Sequence, residues 1–164
     1  MNKSIYAVFG ASGFGREVMP LVRASVGDHR LVFVDDNASV STLNGHQVMS
    51  YGEFLELDAE RKFVTIAIAD AQVREKLTHR CLGDGIEVFD VAAANVVVMN
   101  DVAVGQGMIL CPFTTITSNV NIGISFHANI YSYVAHDCVI GNYVTFAPGV
   151  KCNGNVLIGG GCRS

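Results

Sequence analysis

Gly105, Gly123, Gly141 and Gly159 stand eighteen residues apart, each preceded by Val104, Ile122, Ile140 or Ile158. Within that period lies a shorter one. Every sixth position from 98 to 158 reads Val, Val, Leu, Ile, Ile, Ala, Val, Ile, Phe, Cys, Ile. Four residues after each, from Val102 to Cys162, the side chain is again apolar or small. A hexad supplies one short strand and one corner, and three hexads close a triangular coil. Coils stack at the strand spacing of about 4.8 Å, with the recurring apolar column filling the interior. The expectation is a parallel β-helix of between three and four coils. The chain stops inside a coil at Ser164, so the expectation is also a coil domain cut short. Its open strand edge would be covered by a partner or by further coils.

Charge separates this half from the rest. Residues 1–90 hold 13 of the 15 acids and 9 of the 11 bases, whereas residues 91–164 hold only Asp101, Asp137, Lys151 and Arg163. We therefore place a domain boundary near residue 90, giving domains 1–90 and 91–164. The first domain alternates strands and helices. Ser4–Phe9, Arg30–Val34, Phe63–Ala69 and Ile86–Phe89 are short apolar runs that predict buried strands. Val18, Leu21 and Val22 share one face of a helix over 14–24. Ser50 and Glu53 form an S-x-x-E capping box, and Asp70 can cap a helix reaching about Cys81. This order predicts an α/β, Rossmann-like domain with a small parallel sheet.

The net charge of −4 argues against nucleic acid as a partner, because nothing neutralises phosphates in bulk. No apolar run reaches the roughly 18 residues of a membrane span. The segment MNKSIYAVFG reads as a first strand, and the five cysteines form no C-x-x-C pair, so the expectation is a cytoplasmic protein with reduced thiols.

Two places carry chemistry. Gly10-Ala11-Ser12-Gly13-Phe14-Gly15 follows a strand and opens a helix, a context in which backbone amides can approach a pyrophosphate. Asp35 closes the second strand, where a carboxylate can accept from a ribose or base donor. These residues alone suggest NAD, but about 90 residues cannot supply both halves of a dinucleotide fold. In the coil, His136 lies two residues after the inward Val134 and should face outward, followed directly by Asp137. Acyl transfer to an amine needs a base, which neutral imidazole supplies near pH 7, and Asp137 could fix the ring tautomer. A solvated surface histidine is the plain alternative. Gly154 stands one coil after His136. His127 and His136 are half a coil apart with no third coil histidine, so no metal site is expected.

The run Val8–Val18, Phe33-Val34-Asp35-Asp36, Ala67-Ile68-Ala69-Asp70 with Arg74, Ala135–Gly141 and Ala147-Pro148-Gly149-Val150 together resemble the NeuD/PglD-type sugar acetyltransferases of the left-handed β-helix class. The resemblance spans the chain. It implies a homotrimer whose first domain holds a nucleotide-linked amino sugar and whose coil binds acetyl-CoA between subunits. It implies N-acetylation for surface glycan synthesis, with His136 and Asp137 catalytic. Ser12, Gly13, Phe14, Asp35, Asp36, Ala69, Gln72 and Asn129 would contact the sugar nucleotide, and Thr145 and Gly154 the coenzyme. Phe14 and Thr145 stand where some members carry histidine, and Ala69 where glycine is common. Sialic acid O-acetylation and a non-catalytic nucleotide-binding trimerisation module are the alternatives.

Overall fold

The computed structural model describes residues 4–163. They form two compact units: residues up to Ile68 with Lys76–Phe89, and Ala69–Glu75 with residues 90 onward.

The first unit begins with β1 (Ser4–Phe9), α1 (Gly13–Val26) and β2 (Arg30–Val34). It continues through β3 (Thr42–Leu43), β4 (His46–Met49), α2 (Tyr51–Glu56) and β5 (Arg61–Ile66), and ends with α3 (Ala71–Gly83) and β6 (Glu87–Val88). The first residues of α3 cluster with the second unit. The strands make one sheet in the order β3-β4-β2-β1-β5-β6, parallel except for the β3–β4 pair. Ala7, Val8, Val32, Phe33, Val34 and Val64 are buried at its centre, as strands covered on both faces require. The Ser50–Glu53 capping box forms, with the Ser50 hydroxyl accepting from the Glu53 amide and the Glu53 carboxylate accepting from the Ser50 amide. The sequence reading had no β3–β4 hairpin. Its signal is Asn44-Gly45, both at positive φ, the pair that suits a two-residue hairpin turn.

Twelve short strands make the second unit. β7 (Val91–Ala92), β8 (Val97–Val98) and β9 (Val102–Val104) form one coil. β10 (Ile109–Leu110), β11 (Thr115–Ile116) and β12 (Val120–Ile122) form the next. β13 (His127–Ala128), β14 (Tyr133–Val134) and β15 (Val139–Ile140) form the third, and β16 (Thr145–Phe146), β17 (Lys151–Cys152) and β18 (Leu157–Ile158) the fourth. Equivalent strands stack in parallel into three four-stranded walls, β7-β10-β13-β16, β8-β11-β14-β17 and β9-β12-β15-β18. This is the left-handed parallel β-helix of the sequence reading. The count is corrected to four coils, because the repeat reaches back to β7, ahead of the position-98 column. Leu110, Ile116, Ile122, Phe126, Val134 and Phe146 are among the side chains filling the interior.

The corners obey a rule of their own. Every sixth residue from Asp101 to Gly161 has positive φ: glycine at 107, 149 and 161, Asn at 119 and 155, but also Phe113, Tyr131 and Tyr143. Left-handed backbone costs a side-chain-bearing residue roughly 1–2 kcal/mol, and the coil's hydrogen bonds must offset this. No described helix is long and apolar enough to cross a membrane.

Candidate active site

His136 and Asp137 occupy the corner between the second and third walls. Asp137 takes the left-handed position, φ 58°, which turns its carboxylate back toward the preceding side chain. His136 Nδ1 lies 2.7 Å from Asp137 Oδ2, and the two side chains are 59% and 48% exposed. A carboxylate can only accept, so Nδ1 carries the proton and Nε2 of the neutral ring keeps its lone pair. That is the arrangement of a base open to an incoming group.

The corner is built as a column through three coils. Below, Asn119 Nδ2 donates to the other Asp137 oxygen at 3.4 Å. Above, the Asn155 amide donates to the His136 carbonyl at 2.9 Å. Asn119 was missed in the sequence, although its place eighteen residues before Asp137 was the available signal. The His136 bond is the main cause that holds the Asp137 carboxyl below its ordinary 3.8; desolvation opposes it, and the Asn119 amide adds a weaker downward pull. A depressed acid keeps its stabilising charge above the ordinary value and loses it as pH falls through the lowered one. We therefore expect carboxyl NMR to show Asp137 protonating below pH 3.8, with Asn119→Ala moving the midpoint partly back up. A wild-type midpoint at or above 3.8 would contradict this geometry.

Gly154 does stand above His136, but the space left by its missing side chain is filled by the imidazole itself. Thr145, on β16, is buried and its Oγ1 donates to the Ala69 carbonyl at 3.2 Å. In this arrangement its hydroxyl holds the chain in place. Ala69 O also accepts from Arg74 Nη1 at 3.0 Å. Arg74 is fully buried, and its Nε and Nη2 donate to Ser125 Oγ and O at 3.0 and 3.1 Å. Burial pushes this guanidinium down to about 10, so it remains charged at neutral pH. Gln72 lines a cavity of about 400 Å³ with Glu75, Asn142, Tyr143 and Gly161, at the corner between the third and first walls. Asn129 uses its Nδ2 to donate to the Phe146 carbonyl at 2.7 Å. His127, on β13, is fully buried; burial first, and then Arg74, holds its imidazole well below its ordinary value, in the neutral form. Among the described residues no three His, Cys, Asp or Glu side chains gather as a metal site.

In the first unit the glycine loop and Asp35 meet at the carboxyl ends of β1 and β2. Asp35 Oδ2 accepts from the Ala11 amide at 3.0 Å and Oδ1 from the Asn37 amide at 2.9 Å, so the carboxylate shapes the loop itself. Gly15 lies so close to Gly10 that a Cβ would overlap the Gly10 carbonyl, which fixes α1 tightly against β1. Ser12 is the N-cap of α1, and its side chain makes no capping bond. Gly13 and Phe14 lie in the first turn of that helix. Asp36 Oδ1 accepts from the Tyr51 amide at 2.8 Å, at the start of α2. Asp35 and Asp36 border a cavity of about 350 Å³ that also touches Ser39, Ser41, Ser50 and Glu53.

Within the second unit, His136, Asp137 and Gly154 come together at one corner. Ala69, Gln72 and Thr145 gather at the first wall and the corner that precedes it. One coil does not bring these two sets together.

Comparison with known proteins agrees with this architecture. The family model of the PglD N-terminal domain matches residues 6–81. GDP-perosamine N-acetyltransferase of Escherichia coli O157:H7 is 44% identical over 160 residues, covering 94% of this chain and 72% of that protein. The solved structure of WeeI from Acinetobacter baumannii AYE superposes with a TM-score of 0.93 at 55% identity, over 95% of this chain and 75% of that one. PerB from Caulobacter crescentus, solved with CoA and GDP-perosamine, shares the fold at 16% identity and a TM-score of 0.63, over 98% of this chain and 88% of that one. On sequence and fold together, the chain belongs to the NeuD/PglD-type sugar acetyltransferases, acyltransferases that take their acetyl group from acetyl-CoA.

Proposed function

We propose that the protein N-acetylates a GDP-linked amino sugar, with His136 as general base and Asp137 as its orienting partner, in the cytoplasm and for surface glycan synthesis. The observation that carries the mechanism is the exposed His136–Asp137 pair, whose Nε2 is the open nitrogen. The sugar amine forms the new C–N bond to the acetyl carbon while His136 Nε2 removes its proton. The C–S bond to coenzyme A breaks, and the imidazolium returns the proton to the departing thiolate. The products are the amide and the free thiol. Four of the five free cysteines are buried and the fifth, Cys162, lies away from the His136 corner, which favours direct transfer over an acyl-enzyme.

The sugar nucleotide is named from the E. coli relative at 44% identity, which is a GDP-perosamine enzyme. Ser12, Gly13, Phe14, Asp35 and Asp36 would hold the nucleotide. Gln72 and Asn129 would approach the sugar. Because Ala69, Gln72 and Thr145 lie on a different edge of the coil from His136, a complete site needs a second copy. This supports a homotrimer with acetyl-CoA between neighbours.

The test is thiol release from acetyl-CoA with GDP-perosamine, a UDP-linked amino sugar and sialic acid as acceptors, together with light scattering. We expect release with GDP-perosamine and a trimer mass. Release only with the UDP sugar would overturn the nucleotide assignment, release only with sialic acid would make the enzyme an O-acetyltransferase, and a monomer mass would overturn the shared site.

A further inference from the structure

We infer that Gly154 is a positioning residue for the base: the absence of a side chain there lets the His136 imidazole lie where Nδ1 reaches Asp137 and Nε2 remains open. A Cβ on Gly154 would stand 2.5 Å from His136 Cε1, 2.6 Å from Nε2 and 3.0 Å from Nδ1. Those are its three nearest neighbours, and all belong to the ring.

Two observations separate this from an ordinary corner glycine. The first is conformational. Gly154 is not among the residues with positive φ, so its backbone suits any residue. The second is positional. The equivalent corner site carries Gln106, Ser118, Ile124, Ile130 or Pro148 elsewhere in the coil and glycine again only at Gly160, so the fold itself does not demand glycine there. Gly105 and Gly141 provide the contrast, since a Cβ on either would strike backbone atoms of the next coil. At Gly154 the three closest atoms all belong to one side chain. That side chain is 59% exposed and could swing into water, but only by giving up its 2.7 Å bond to Asp137.

The functional weight of this inference rests on His136 being the base, whereas the ring placement does not, and the experiment separates the two. Gly154→Ala is compared with wild type, and both are also made in a His136→Ala background. Ring position is read from the Nδ1–H signal and the 15N shifts of histidine-labelled protein. We expect Gly154→Ala to lose the hydrogen-bonded Nδ1–H signal and to lower kcat by at least roughly tenfold, as a misplaced group does, with both KM values changing less than about twofold. In the His136→Ala background the same substitution should leave the melting temperature unchanged, because no ring is left to displace. Unaltered ring signals in Gly154→Ala would overturn the inference. So would an equal loss of stability in both backgrounds, which would make the glycine a backbone requirement. If His136→Ala kept its kcat, the base assignment would fall, while the ring signals would still decide the role of Gly154.

Discussion

Replacing His136 by alanine is expected to lower kcat by roughly 10²–10⁴-fold, equivalent to roughly 3–5 kcal/mol of barrier, with little change in either KM. The reason is local. The imidazole is an exposed side chain on a corner whose backbone is held by hydrogen bonds from the coils above and below. Its removal deletes a proton acceptor without opening a cavity in the coil interior. The pH profile of kcat/KM should fall on the acid side, since only the neutral ring can take a proton. Asp137 should not produce that limb, because its carboxyl stays ionised below the ordinary carboxylate value. Steady-state rates of thiol release across pH would measure both effects. A variant with normal kcat and a raised KM would make His136 a binding residue and leave the amine to lose its proton to water.

The second large effect is on stability. Arg74→Met removes the donors that serve Ser125 Oγ, Ser125 O and Ala69 O, and leaves Ala69 O only the bond from the Thr145 hydroxyl. The expected loss is about 3–5 kcal/mol. For a domain of this size that is a fall in Tm of roughly 10 °C. Arg74→Lys should recover part of it, since a single ammonium cannot reach all three acceptors in the fork geometry of a guanidinium. Thermal melts of the two variants decide the matter, and an unchanged Tm in Arg74→Met would show that the buried guanidinium contributes nothing net. The segment at stake carries Ala69 and Gln72, so the same variant should weaken sugar-nucleotide binding more than acetyl-CoA binding.

The inward columns of the coil were legible because each position repeats the same physical demand, an apolar side chain facing a closed interior. The strands at Ser4–Phe9 and Arg30–Val34 were legible for the same reason. The left-handed corners were not read, since Phe113, Tyr131 and Tyr143 interrupt the glycine and asparagine that would have announced them. The eighteen-residue register correctly stacked Gly154 over His136, but the close approach of the ring to that glycine is visible only in the structure. The bond from the Thr145 hydroxyl to the carbonyl of Ala69, seventy-six residues away in sequence, was not read. Such long-range hydrogen bonds leave no local trace in a sequence.

The regular placement of corners at every sixth residue bears on how such a chain can change in length. Inserting one residue into a wall would move every later corner off its column and turn interior side chains toward water. Inserting six would keep strands and corners in phase but advance each by one wall, carrying His136 away from Asn119. Only a change of eighteen residues leaves every column intact. Inheritable variation in the length of the coil should therefore come as whole coils, or as loops extruded where the backbone already turns.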